Sequence, residues 1–167
     1  MAGDYMLFLL VVALLTYRLT ELFRQLLYKR KISELINCVH SKEDLLYLNF
    51  REYMSVIVEV LKRSGYKVRR TNACGVEGSG LALNNLQFAE IWKHGLGHMV
   101  DVELAMNLSK CMRDNSIYRG MLITLGDFKT CTKIYCHKNV IECINGDRLL
   151  SLLKVVQSKK AVLEPIK

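Results

Sequence analysis

Gly80-Leu81-Ala82-Leu83-Asn84-Asn85-Leu86-Gln87-Phe88-Ala89-Glu90-Ile91-Trp92-Lys93 is the stretch that decides the fold. Leu81–Leu83 and Leu86–Trp92 are two apolar runs, with Asn84-Asn85 between them at a turn. Asparagine tolerates the left-handed backbone that a tight hairpin requires, so the stretch predicts two antiparallel strands.

Outward from the hairpin, the elements alternate. Upstream, Phe50, Tyr53, Met54, Ile57, Val58, Val60 and Leu61 recur at helical spacing. Asn49 is placed to cap that helix with Glu52 as its partner three residues on, and Gly65 to end it. Tyr66–Thr71 alternates as a strand, and Asn72–Gly80 is a turn region rich in Gly, Asn and Ser. Downstream, Val100–Met112 predicts a helix and Arg119–Leu125 a buried strand. Asp127–His137 predicts a short helix, Val140–Ile144 a strand, and Asn145-Gly146-Asp147 opens a last helix over Arg148–Gln157. This order implies an α/β domain, a mixed sheet flanked by helices on both faces.

The N-terminus is different in kind. Met6–Leu15 is ten apolar residues without a break, extended by Tyr5, Thr16 and Tyr17 and interrupted at Arg18. Before the run stands Asp4; after it come Arg18, Arg24, Lys29, Arg30 and Lys31. Such asymmetry predicts one N-terminal transmembrane helix with the N-terminus outside and the rest cytoplasmic. A secretory signal would carry its positive charge before the apolar run. The expected organisation is a membrane anchor over 1–24, with residues 5–24 in the membrane, a helical juxtamembrane stalk over 25–48, a folded domain over 49–158 and a tail over 159–167. Localisation follows as the cell membrane, single-pass. Within the stalk, Ser41 followed three residues later by Asp44 predicts a helix start.

The chain has 167 residues, 51% of them apolar, and a formal charge of +8. Such a balance suits nucleic acid or an anionic membrane surface as partner. Of six cysteines none forms a CxxC pair, so they are expected to be reduced, cytosolic thiols. Cys131, Cys136, Cys143 and His137 lack a zinc-site spacing. His94 and His98 have the four-residue spacing of a helical metal pair, but Gly95 and Gly97 argue for a loop.

Phe50-Arg51-Glu52, Leu61 to Val68, Gly80-Leu81-Ala82-Leu83, Ile91-Trp92-Lys93, Gly120 to Thr124 and Ile144 to Leu150 together resemble an Mrr-type restriction endonuclease domain of the PD-(D/E)xK superfamily. The resemblance covers about two thirds of the chain. It implies a restriction-endonuclease-like fold in which a strand aspartate and a Gln/Glu hold Mg²⁺ while a lysine positions water. Here the aspartate position falls on Ala82 and the Gln/Glu position on Ile91, neither with a ligand atom; Lys93 matches the lysine. Glu90 is one residue out of register with Ile91, which on a strand turns it to the opposite face. Glu52, Glu77, Glu90 and Lys93 are the vestigial catalytic candidates. Trp92 is expected in the core, or as a lid over the old site. No metal is expected, with Mg²⁺ the cofactor only of an active form. For nucleic acid, Lys62, Arg63, Lys67, Arg69 and Arg70 are the phosphate-contact candidates.

Three functions follow. The leading one is a membrane-anchored, catalytically inactive nuclease-fold domain binding DNA or a protein partner. The others are an active Mg-dependent endonuclease with displaced ligands, and a structural subunit of a membrane complex.

Overall fold

The computed structural model describes residues 2–75 and 79–163, without the side chains of residues 2–5, 7, 8 and 159–163. The chain divides into two compact units, Met1–Leu35 and Ile36–Lys167.

The backbone of 2–38 is one helix, α1 (Ala2–Cys38), which covers the segment expected as anchor and the expected stalk only as far as Cys38. Leu9, Leu10, Leu15, Leu22, Phe23 and Leu26 are exposed along it. Contrary to the expected spanning segment, no helix among the described residues is long and apolar enough to cross a membrane. Arg18, Glu21 and Arg24 punctuate its described apolar part, and charges there are costly in lipid.

The second unit contains α2 (Lys42–Tyr47), α3 (Phe50–Arg63), β1 (Val68–Arg70), β2 (Gly80–Leu83), β3 (Gln87–Trp92), β4 (Met99–Val100), α4 (Val102–Asp114), β5 (Arg119–Thr124), β6 (Asp127–Phe128), α5 (Thr130–Lys138), β7 (Ile141–Ile144) and α6 (Gly146–Leu163). Both expected capping boxes form: Ser41 with Asp44 starts α2, and Asn49 with Glu52 starts α3. Gly65, at φ +98°, follows the end of α3 in a conformation that costs glycine little. A mixed five-stranded sheet runs β1-β2-β3-β5-β7, antiparallel from β1 to β3 and parallel from β3 to β7. Ala82, Phe88, Leu122 and Ile141 pack on one face with Ala105, Leu108, Met112 and Cys136 of α4 and α5. Leu81, Leu83, Ala89, Ile91, Met121 and Ile123 fill the other face and are fully buried.

Helix ends are closed by distant side chains. The Gln157 amide of α6 donates to the carbonyls of Ile36 (2.6 Å) and Val39 (2.8 Å), at the last turn of α1. Lys42 pairs with Asp147 at 2.9 Å, joining α2 to α6.

Three expectations are corrected. The helix expected from Asp127 begins only at Thr130, because Asp127–Phe128 forms β6 and pairs in parallel with β4. The cysteines are not all free thiols. Cys74, in the loop after β1, is bonded to Cys111 on α4, with Cα atoms 5.8 Å apart, a separation that suits a disulfide. Cys38, Cys131, Cys136 and Cys143 are free. Third, the strand expected from Val140 begins at Ile141, because Val140 sits at φ 57°.

Val140 stands just past the C-cap of α5, where glycine or asparagine is usual, and a β-branched residue there is strained. Val140→Gly should therefore raise stability by about 0.5–1 kcal/mol, the relief of the left-handed strain outweighing the entropy of glycine. Urea denaturation reads this, and a clear loss of stability would show that the valine is not strained.

Candidate functional site

The register of the β2–β3 hairpin decides which of the sequence candidates meet. Leu83 pairs with Gln87, Ala82 with Phe88, Leu81 with Ala89 and Gly80 with Glu90. The loop therefore holds Leu86 as well as Asn84 and Asn85, both of which have positive φ (54° and 59°). Leu86 N–H donates to the Leu83 carbonyl at 3.1 Å to close it. Side chains alternate along each strand. One face thus carries Ala82, Phe88, Glu90 and Trp92; the opposite face carries Leu81, Ala89, Ile91 and, two residues on, Lys93.

With only Asn84-Asn85 between the strands, Ala82 would lie on the face of Ile91 and Lys93. Ala82 does not share a face with Ile91 and Lys93; it shares one with Glu90. A single residue added to the loop is enough, because a one-residue slip moves a whole strand's side chains to the other face.

Lys93 has a partner that sequence reading missed. Its Nζ donates to the Leu46 carbonyl at 2.8 Å and also to that of Leu48. These are carbonyls at the C-terminal end of α2, which lack intrahelical donors and carry the negative end of the helix dipole. The ammonium lies 6.0 Å from the centre of the Tyr53 ring. Burial holds the Lys93 ammonium below its ordinary pKa. No local signal marks this cap, because donor and acceptors are 45 and 47 residues apart.

The candidate carboxylates are dispersed. The Glu52 carboxylate accepts from the Asn49 N–H at 3.4 Å, and Asn49 Oδ1 accepts from the Glu52 N–H at 2.9 Å. Glu90 is 3% exposed, on the face away from Lys93. Glu77 lies outside the described residues. Mg²⁺ takes oxygen ligands, and neither Leu81, Ala89 and Ile91 beside Lys93 nor Ala82 on the other face offers a side-chain oxygen. The described residues do not fit the metal, and among them no group of three His, Cys, Asp or Glu side chains is placed to hold one. His94 and His98 instead contact each other edge to face at 4.4 Å, and Trp92 contacts His94 at 5.4 Å. Trp92 is half-buried, and its indole N–H is buried without a partner among the described residues.

Two further groups escaped sequence reading. The Tyr53 hydroxyl and the Ser79 hydroxyl are buried without hydrogen-bond partners among the described residues. Ser79 accepts a backbone hydrogen bond from Ile91 at 3.2 Å, which places it one step beyond the Gly80–Glu90 pair. Tyr53 appeared in the sequence only as an apolar helix position. Burial pushes its phenol well above the ordinary range.

Of the basic candidates, Lys62, Lys67, Arg69 and Arg70 are exposed. Arg63 is half-buried and pairs with Glu59 at 2.9 Å, so it is the least available of the five. Arg69 and Arg70 lie on β1, the edge strand of the sheet.

Residues 45–153 match the family model Mrr_cat, described as restriction endonuclease. Among solved structures, the fold is similar to that of the DNA modification-dependent restriction endonuclease AspBHI. The TM-score is 0.52 at 11% identity, covering 80% of this chain and 38% of that one. It is also similar to the MspJI restriction endonuclease in complex with a 27-mer oligonucleotide, with a TM-score of 0.43 at 13% identity, covering 75% and 36%. The chain spans well under half the length of either structure, and at such identities the likeness is one of fold. No curated protein matches the chain.

Proposed function

The chain belongs to the Mrr-type restriction endonuclease family, and from that premise we propose that it binds DNA without cutting it. The observation that carries this reading is the hairpin register. It puts the one lysine of the motif and the buried acid Glu90 on opposite faces of the sheet, with Lys93 engaged at the end of α2. Metal-assisted hydrolysis needs carboxylates and a water-positioning group gathered at one phosphate. DNA binding rests on Lys62, Lys67, Arg69 and Arg70, which are exposed, and on the formal charge of +8. Backbone phosphates are the natural counterpart of such a surface.

Membrane attachment belongs to the same proposal. Residues 5–24 are the attached segment, supported by the exposed Leu9, Leu10, Leu15, Leu22 and Phe23 of α1. The basic residues from Arg18 to Lys31 suit an anionic membrane surface.

The test uses the full chain in mild detergent with supercoiled plasmid and Mg²⁺ or Mn²⁺. The expected result is intact plasmid, retained on the protein at low salt and released as salt rises. Arg69→Gln with Arg70→Gln should weaken retention and reduce the slope of log affinity against log salt by about 2. Nicking that disappears in Lys93→Ala would establish a working metal site and refute the non-cleaving reading. Absence of retention at any salt would refute DNA binding.

A further inference from the structure

A cleft of about 550 Å³ opens at the hairpin end of the second unit, among Tyr66, Asn84, Gln87, Arg119, His137 and Val140. That is an ordinary volume for a small-molecule site. It involves none of the residues of the Lys93 region. We propose that this cleft binds a nucleoside phosphate.

Charge is the first ground. Glu142, the acid at the rim, is engaged by Arg148 at 2.5 Å. Arg119 is exposed and has no ion pair among the described residues. The cleft thus presents an uncompensated guanidinium, whose fork matches phosphate oxygens.

The amides are the second ground. Asn84 spends its Oδ1 on the Lys67 N–H at 2.8 Å, which leaves its amino group to donate. Gln87 spends its Nε2 on the Gly120 carbonyl at 3.1 Å, which leaves its carbonyl to accept. The wall therefore offers one fixed donor and one fixed acceptor, the pairing that the edge of a nucleobase presents in return. Tyr66 and the exposed Leu86 and Val140 line the same cleft and supply apolar wall for a flat ring.

Strain is the third ground. Val140 keeps a left-handed backbone at the rim, with its side chain 58% exposed where glycine would relieve the conformation. Strain of this kind gathers at binding sites. The inference goes beyond DNA binding by the β1 arginines and survives its failure, since Arg119 and Gln87 are separate from that patch.

The same chemistry comes from two sources, a free mononucleotide or an unstacked nucleotide of a single strand. Calorimetric titration of the full chain with each common nucleoside 5′-monophosphate, with a short single-stranded oligonucleotide and with inorganic phosphate separates them. Saturable binding of a mononucleotide, weakened at least about tenfold in Arg119→Gln and in Gln87→Leu, identifies a free nucleotide as ligand. Binding of the oligonucleotide alone, with the same loss in both variants, identifies the strand. Thermal melting of each variant confirms that it is folded, and Arg119→Lys should restore part of the affinity. The proposal fails if neither ligand binds saturably, if the variants bind as the parent does, or if inorganic phosphate binds as tightly as the nucleotides.

Discussion

Removing the Cys74–Cys111 bond should lower stability by about 3–4 kcal/mol. The bond closes a loop of sequence separation 37, and loop-closure entropy of that size lies between the values for short and very long loops. For a chain of this length the melting temperature should fall by about 6–16 °C. The measurement is thermal unfolding of the parent with and without reductant, beside Cys111→Ser. Peptide mapping without reduction, after the free thiols are blocked, should recover the peptides of Cys74 and Cys111 joined. If both cysteines alkylate in the unreduced protein, and reductant leaves the melting curve unchanged, the bond does not form in solution. Because Cys74 lies in the loop leading to β2, reduction should also loosen the backbone around Gly80, which amide exchange would read.

The second large effect is expected at Lys93. Lys93→Met keeps most of the alkyl stem but removes the donor that satisfies the Leu46 and Leu48 carbonyls. Hydrogen bonds from a charged donor contribute about 1.5–3 kcal/mol, and partial exposure of this side chain lowers the expectation to about 1–2 kcal/mol. Denaturant unfolding measures the loss, and exchange should rise first at the amides of α2. A lysine that served only to position water would behave oppositely, leaving stability unchanged when replaced. A neutral Lys93→Met would therefore remove the helix-cap assignment.

Much of the fold is legible because its signals are local. The boxes Ser41 with Asp44 and Asn49 with Glu52, the apolar spacing of α3 and α4 and the Asn84-Asn85 turn each depend on residues a few positions apart. What escapes is non-local. β4 and β6 have two residues each and exist only by pairing with one another across 28 positions, too short to show a period. Cys74 and Cys111 come together only once the β1–β2 loop folds against α4. The candidate site failed on a finer point. Its residue types were readable, and their grouping was not, because Leu86 belongs to the loop and not to the strand. One loop residue changes which side of the sheet every β3 side chain occupies, and no composition or propensity argument resolves that difference.

The packing of Leu81 and Ile91 bears on what this lineage can become. Both are at most 1% exposed on the face that carries Lys93. A carboxylate introduced at either position would enter a dry interior at a cost of several kcal/mol unless a cation arrived with it. Domains of this kind have about 5–15 kcal/mol of stability in all. A first such substitution would thus consume much of that margin before a second could add a further ligand. Each single change toward a carboxylate on this face is therefore opposed by the packing: here the apolar core acts as a ratchet.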